Sequence, residues 1–229
     1  MKPGEFATAW DHSPTRYAWF RHMAMNLFGL ICWVGTAMGA FLLALATPTW
    51  TVILFGPIVL YAAYRTFVQC AYFVWGARMQ RILCNYSWQV LRDVPRGLKD
   101  HPSAQSDKGM WFEFRNPANP EEKIPLVFIN HIRSYWWLKR IGGPRTKPEL
   151  KAQIEPLWFA GDPRFFGVVA ASGRDADVPK RMHVLYQRGF LGGAAGNREN
   201  WDASPDDLER ARRSGARIPQ PGAPEPGLG

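Results

Sequence analysis

Charged residues are missing from a long stretch near the amino terminus, because no Asp, Glu, Lys or Arg occurs between Met23 and Tyr64. The stretch contains two apolar runs, at 23–46 and 51–63, with Thr47–Trp50 between them. About 20 apolar residues in a helix cross the roughly 30 Å hydrocarbon core of a bilayer. The sequence therefore predicts two antiparallel membrane helices that anchor the protein.

Sequence motifs of the common enzyme classes are also missing. The chain has no P-loop, no GxGxxG after a predicted strand, no HExxH and no nucleophile elbow. Its three cysteines form no CxxC pair, and no histidine stands at metal-ligand spacing. We therefore expect a protein that is not an enzyme and binds neither a metal nor an organic cofactor.

Acidic residues are outnumbered, with 19 Asp and Glu against 28 Lys and Arg, which gives a formal net charge of +9. Arg16 and Arg21 precede the first apolar run, Arg78 and Arg81 follow the second, and the turn between the runs has no charge. The positive-inside rule then places both termini in the cytoplasm, in a multi-pass protein of the plasma membrane. Contact with anionic lipid headgroups accounts for the positive charge without nucleic acid as a partner.

A cleaved signal peptide is an alternative interpretation of the first run. Ala44-Leu45-Ala46 has the small-x-small form of a cleavage site. The run is longer than the apolar region of a typical signal peptide, so we favour a membrane anchor.

Arg65 interrupts the second run, which is long enough to span a bilayer only if the helix continues to about Trp75. A charge at membrane depth is costly. The guanidinium either extends to the inner headgroups or faces a protein partner or a polar cavity. Since the hairpin offers no acidic residue, a partner in the second case would be another chain or a lipid phosphate.

Gly35 and Gly39 form a Gly-x-x-x-Gly pattern, with Gly29 about a turn and a half away and Ala40 and Ala44 beside it, which lets another helix approach closely. The pattern serves either packing within the hairpin or contact with another chain. A protein partner or a homo-oligomer is expected in the second case.

Beyond residue 85 the sequence changes to short aromatic or β-branched runs bounded by Pro, Gly, Asn and Asp. Turn residues at Asn116–Pro120 and Gly161–Arg164 predict two hairpins. The fold class is thus α+β, with a transmembrane helical hairpin followed by a small, mainly antiparallel β barrel or sandwich. The simplest arrangement is a meander that closes into an SH3-like or OB-like barrel. Six runs are predicted as strands: 87–92, 110–115, 125–129, 157–160, 165–170 and 182–186.

The segment 131–155 combines aromatic and basic residues, among them Trp136, Trp137, Lys139 and Arg140. This composition is typical of a membrane-interface element, so these residues, like Arg65, are predicted at the membrane interface. The alternative is that the Trp rings cover the open end of the barrel and the basic residues are solvated.

Asp162 and Arg164, with His131 and His183, come nearest to a reactive cluster. Asp162 belongs to a Gly-Asp-Pro-Arg turn, where a carboxylate most often binds backbone amides. We therefore interpret Asp162 and Arg164 as structural turn residues.

The segment WFAGDPRFFGVV, residues 158–169, and the general layout of the chain resemble a group of uncharacterised actinobacterial membrane proteins. Those proteins have two transmembrane helices and a small cytoplasmic β domain. The resemblance covers about a third of the chain and implies topology only, since no activity can be carried over from that group.

These observations divide the chain into four parts. A cytoplasmic segment, 1–21, precedes the hairpin with its cytoplasmic extension, 22–85. A cytoplasmic β domain, 86–191, is followed by a flexible tail rich in Pro and Gly, 192–229. Within that tail, Ser204-Pro205-Asp206-Asp207 has a helix-capping arrangement that predicts a short helix to Arg213.

Two functions fit this organisation. The first is a non-enzymatic adaptor or scaffold that holds the β domain at the cytoplasmic face of the membrane. The alternative is an accessory subunit of a transport, pore or secretion assembly, whose hairpin packs against partner helices.

Overall fold

A computed structural model describes residues 6–91, 109–129, 134–141, 147–172, 178–187, 202–216 and 218. The chain divides into two compact units. One unit, here called the sheet unit, comprises Met1–Thr15 and Arg81–Gly229. The other, here called the helical unit, comprises Arg16–Gln80. The proposed flexible tail at 192–201 and 219–229 lies outside the described residues.

Two long helices are confirmed at the predicted apolar runs. Helix α1 covers Ser13–Ala46, and helix α2 covers Val52–Asn85 after a single 3-10 turn at Thr49–Thr51. Both are long and apolar enough to cross a membrane. The predicted extension of the second helix beyond the apolar run is confirmed, since α2 continues to Asn85, and α1 begins earlier than the first apolar run.

Inside the helical unit the two helices approach at glycines other than the predicted pair. Gly29 lies against the side chain of Gln69, whose amide donates to the carbonyl of Asn26 at 3.3 Å. Gly76 lies against Met23, and its carbonyl accepts from the indole of Trp19 at 2.9 Å. A larger residue at Gly29 or Gly76 would displace these side chains.

All six predicted strands are present, and they form one antiparallel sheet in the order β1-β4-β5-β6-β3-β2, curled into a half-barrel. The predicted antiparallel β domain is confirmed as a half-barrel, which is open among the described strands, and the strand order differs from that of a simple meander. Hairpin turns join β2 to β3 and β4 to β5, as predicted. The connections from β1 to β2 and from β3 to β4 are too long for hairpin turns. Strand β1 instead pairs with β4, and β3 also pairs with β6. The strands are β1 Gln89–Leu91, β2 Gly109–Arg115, β3 Lys123–Ile129, β4 Leu157–Asp162, β5 Phe166–Ser172 and β6 Pro179–Tyr186.

The core of the sheet unit packs on one face of the half-barrel. Alternate residues of the strands point into it, as the two-residue period of a strand requires. Helix α3, Tyr135–Ile141, and the 3-10 turn that follows helix α4, Pro148–Lys151, complete it with apolar side chains. The core cluster contains Phe112, Phe114, Leu126, Phe128, Trp137, Ile141, Ile154, Leu157, Phe159, Val169, Ala171 and Leu185.

The amino-terminal segment, as far as Thr15, belongs to the sheet unit. The amides of Ala9 and Trp10 donate to the carbonyls of Tyr86 and Leu83, at 2.7 and 2.9 Å. They satisfy carbonyl groups at the end of α2, which have no partner within the helix. These two hydrogen bonds hold the amino-terminal segment against the last turn of α2.

Strand β4 is buried on both faces because this segment covers the face opposite the core cluster. Trp158 is 1% exposed, and its ring lies 5.6 Å from that of Trp88 and 5.7 Å from that of His12. The indole of Trp88 donates to the hydroxyl of Thr15 at 2.9 Å. These contacts fix β1, which directly follows Trp88, beside β4.

Candidate functional site

The turn between β4 and β5 is built around Asp162, as the sequence suggested. The carboxylate of Asp162 accepts from the backbone amide of Arg164 at 2.9 Å, and its carbonyl accepts from the amide of Phe165 at 3.0 Å. Gly161 has a φ of +148°, and a Cβ there would clash with the backbone of Gly167 on the opposite strand. Only glycine therefore lets the two strands approach at this point.

Arg164 folds back onto this turn and is 4% exposed. Its Nε donates to both carboxylate oxygens of Asp162 at 2.9 and 3.1 Å, and its Nη2 donates to Oδ2 at 2.6 Å. The same Nη2 donates to the carboxylate of Asp207 at 2.7 Å. One buried guanidinium is thus shared by two carboxylates, a geometry in which each hydrogen bond is charge-assisted.

Asp207 reaches Arg164 from helix α5, Pro205–Arg213, which confirms the predicted short helix. Ser204 caps this helix: its hydroxyl accepts from the amide of Asp207 at 3.2 Å, while the carboxylate of Asp207 accepts from the amide of Ser204 at 3.3 Å. One carboxylate therefore closes the capping box and pairs with Arg164.

Charge interactions within this cluster shift the pKa values of Arg164 and Asp207 toward their charged forms. Burial alone would lower the pKa of Arg164, but its hydrogen bonds and charge interactions with Asp162 and Asp207 hold that pKa above its usual value. Burial alone would raise the pKa of Asp207, but the hydrogen bonds from Arg164 and Ser204 hold it below its usual value. Arg164 and Asp207 are therefore both charged at neutral pH.

A groove with a volume of about 1420 Å³ opens beside this cluster. Tyr86 lines it and is 8% exposed, and its hydroxyl group has no hydrogen-bond partner among the described residues. Burial, and next the negative charge of Asp162, raise the pKa of Tyr86. The hydroxyl group is therefore protonated and free to donate. The guanidinium of Arg210, on α5, lies 5.9 Å from the centre of the Tyr86 ring.

The predicted cluster of Asp162 and Arg164 with two histidines is only partly described. His183 lies on β6, where its ring is 4.5 Å from that of Phe128, and His131 lies outside the described residues. Among the residues that the structure describes, no three His, Cys, Asp or Glu side chains are placed to hold a metal ion.

The predicted membrane-interface residues of α3 separate into two groups. Trp137 is 3% exposed and packs on Phe128 in the core, so its ring does not face a membrane interface. The Trp136 ring is half-buried and stacks with the guanidinium groups of Arg140 and Arg181, at 4.0 and 4.4 Å. One face of α3 thus serves the core and the other carries stacked aromatic and basic groups.

Lys139 belongs to the outer face of α3. Its ammonium group lies 4.4 Å from the centre of the Tyr135 ring, which is 59% exposed. We call Tyr135, Trp136, Lys139, Arg140 and Arg181 the basic aromatic patch. Its Lys and Arg side chains make cation–π contacts with the aromatic rings, an arrangement that is common at membrane interfaces.

Arg65 contacts an aromatic ring within the helical unit. Its guanidinium lies 5.1 Å from the centre of the Trp33 ring on α1, and the Trp33 ring in turn meets Tyr61 edge-on at 5.5 Å. Sequence reasoning considered lipid headgroups, a polar cavity and an acidic partner for Arg65, and it missed this cation–π contact with an aromatic ring.

Gly35 and Gly39 lie on the outer surface of α1. A Cβ at either position would have no heavy atom within 4 Å among the described residues, and both glycines are exposed. In the described part of the chain, the pattern is not used for packing within the hairpin.

Comparisons with family models, curated proteins and solved structures find no match to this chain. The site is therefore interpreted from its own chemistry. Sequence reasoning missed Tyr86 and Arg210 as parts of it, and it identified Asp207 only as a capping residue. The capping box was the one available signal, because it placed a helix that could carry Asp207 and Arg210 together.

Proposed function

We propose that this protein is a non-enzymatic adaptor, anchored in the plasma membrane by α1 and α2, which holds the sheet unit in the cytoplasm. The exposure of the helices carries the proposal. Only 6% and 11% of their most apolar 18-residue windows are buried within the chain. Ile53 and Phe67 are 79% and 76% exposed. Soluble proteins rarely expose so large an apolar surface, whereas a bilayer covers it.

The orientation in this proposal follows from the flanking charges. Arg16 and Arg21 at one end and Arg78 and Arg81 at the other favour the cytoplasmic side, while the turn at Thr49–Thr51 has no charge. The basic aromatic patch supports contact with anionic headgroups of the inner leaflet, where each Lys or Arg contributes about 1 kcal/mol.

An adaptor role is favoured over catalysis by the state of the charged groups. Arg164, Asp162 and Asp207 are held by one another, so the cluster stabilises the turn and α5 and leaves none of the three free for acid-base chemistry. The groove beside them offers a surface for a partner.

Alkaline carbonate extraction of membranes that contain the full chain tests the anchor. We expect the chain to remain in the membrane pellet. A variant with Arg at the exposed positions Ile53, Leu60 and Phe67 should move to the soluble or aggregated fraction, because an Arg near the centre of the span, as at Leu60, costs about 2.5 to 3.5 kcal/mol. Release of the unmodified chain by carbonate would exclude the membrane anchor.

The alternative, an accessory subunit of a membrane assembly, is supported by the outward position of Gly35 and Gly39. Small residues on a lipid-facing surface let a second helix approach. After crosslinking in native membranes, a stoichiometric membrane partner that is lost with Gly35→Leu and Gly39→Leu would favour this function over the adaptor.

A further inference from the structure

The groove beside Tyr86 lies between the two edges of the half-barrel. It is lined by Gln89–Leu91, which is all of β1, and by Glu113–Arg115 at the end of β2. Among the described strands, β1 pairs only with β4 and β2 only with β3, so each has one unpaired edge. An unpaired edge is a template on which another strand can add.

The uncompensated charge of the groove is positive. The groove is lined by four basic residues, Arg115, Lys123, Arg164 and Arg210, and by three acidic residues, Glu113, Asp162 and Asp207. Glu113 pairs with Lys123 at 3.3 Å, and Asp162 and Asp207 share Arg164. Arg115 and Arg210 also line the groove, and neither forms a salt bridge in the part of the chain that the structure describes. Charge complementarity therefore favours an acidic ligand.

Tyr86 supplies an unused hydrogen-bonding group at one end of β1. Its buried hydroxyl has no partner among the described residues, which costs free energy unless a ligand or water satisfies it. Arg210 lies over its ring. A ligand carboxylate at this point would accept from Tyr86 and pair with Arg210.

The size of the groove favours an extended ligand. Its volume of about 1420 Å³ exceeds the range of about 300 to 1000 Å³ that is usual for small-molecule sites. We propose that it binds an extended, acidic peptide segment of a partner protein, which adds to the free edge of β1 and places a carboxylate at Tyr86 and Arg210. The proposal rests on the proposed adaptor role, for which it names the class of partner.

Fluorescence anisotropy with the full chain in a mild neutral detergent tests this proposal. The probe is a labelled short peptide of alternating glutamate and threonine, compared with peptides in which lysine or glutamine replaces glutamate. A fourth peptide has the acidic sequence with alternate backbone amides N-methylated, which removes the donors that pair with a strand edge. We expect binding of the acidic peptide alone.

Two sets of variants locate the site. Arg115→Gln with Arg210→Gln should weaken binding of the acidic peptide by about tenfold or more, or roughly 1.4 kcal/mol. Arg213→Gln is the matched control, since Arg213 is exposed on the same helix, pairs with Glu209 and does not line the groove. Tyr86→Phe removes only the hydroxyl, so it should weaken binding without lowering the unfolding midpoint of the chain.

Three outcomes would overturn the proposal: no binding of the acidic peptide, equal binding of the N-methylated peptide, or loss of binding with Arg213→Gln as large as with the groove variants. Because the chain is in detergent, the result does not depend on the membrane anchor. A chain that resists carbonate extraction but ignores the peptide would refute the groove proposal alone.

Discussion

Arg164 and Asp207 lie 43 positions apart in the chain, yet Nη2 of the guanidinium and Oδ2 of the carboxylate are 2.7 Å apart. This ion pair joins the β4–β5 turn to α5. It also explains why Arg164 can be buried, since two carboxylates compensate its charge.

Replacing Arg164 with Met should lower the free energy of unfolding by about 3 to 5 kcal/mol, because the buried carboxylate of Asp162 loses its partner. Urea unfolding of the detergent-solubilised chain, followed by tryptophan fluorescence, measures the change. Arg213→Met is the control, since Arg213 pairs only at an exposed surface and should change stability by less than about 0.5 kcal/mol. Equal effects of the two substitutions would contradict the role of Arg164.

The Asp207 pairing predicts a specific acid sensitivity. Because the folded state lowers the pKa of Asp207 below its ordinary 3.8, its contribution is fully present above that value and is lost as the pH falls through the folded pKa. Urea midpoints between about pH 6 and pH 2.5 should therefore decline less in Asp207→Asn than in the unmodified chain. Parallel declines would show that Asp207 does not contribute.

The glycines of α1 should differ in their effects on the hairpin. Gly29→Leu should displace Gln69 and break its hydrogen bond to Asn26, which lowers hairpin stability in mixed micelles by about 1 to 3 kcal/mol. Gly35→Leu should change it by less than about 0.5 kcal/mol. Gly56→Leu on α2 is a control, because it also has no neighbour within 4 Å. A large loss with Gly35→Leu would place the helix contact at the sequence-predicted pair.

The basic aromatic patch should respond to lipid charge. In nanodiscs of phosphatidylglycerol, the amides of α3 should exchange hydrogen more slowly than in phosphatidylcholine, and added salt should reduce the difference. Lys139→Gln with Arg140→Gln should abolish it, whereas Arg213→Gln should not. Identical exchange in both lipids would exclude contact between this patch and the leaflet.

Local patterns predicted those elements whose signal lies in consecutive residues. The six strands and the turns at Asn116–Pro120 and Gly161–Arg164 follow from β-branched and aromatic runs between turn residues. The apolar runs predicted α1 and α2 for the same reason. Helix α3 was not predicted, because the aromatic run Tyr135-Trp136-Trp137 obscures its helical periodicity.

Contacts between distant residues could not be read from such patterns. The sheet order depends on where β1 and β3 find partners, and neither pairing leaves a local signal. The pairing of Arg164 with Asp207 and the contact of Arg65 with Trp33 likewise depend on how separate elements meet. The Gly35 and Gly39 pattern predicted a close approach without telling which helix would make it.

The side of the membrane on which the turn at Thr49 and the sheet unit each lie tests the central claim most directly. In a chain whose three cysteines are replaced by Ser, a single cysteine is placed at exposed Thr49 or at exposed Lys180 on β6. An impermeant maleimide applied to intact cells should label the cysteine at 49 and should reach the one at 180 only after the cells are opened. Labelling of the cysteine at 180 but not of the one at 49 in intact cells would invert the topology. If neither cysteine is labelled before lysis and carbonate releases both single-cysteine chains from the membrane, the membrane anchor is contradicted.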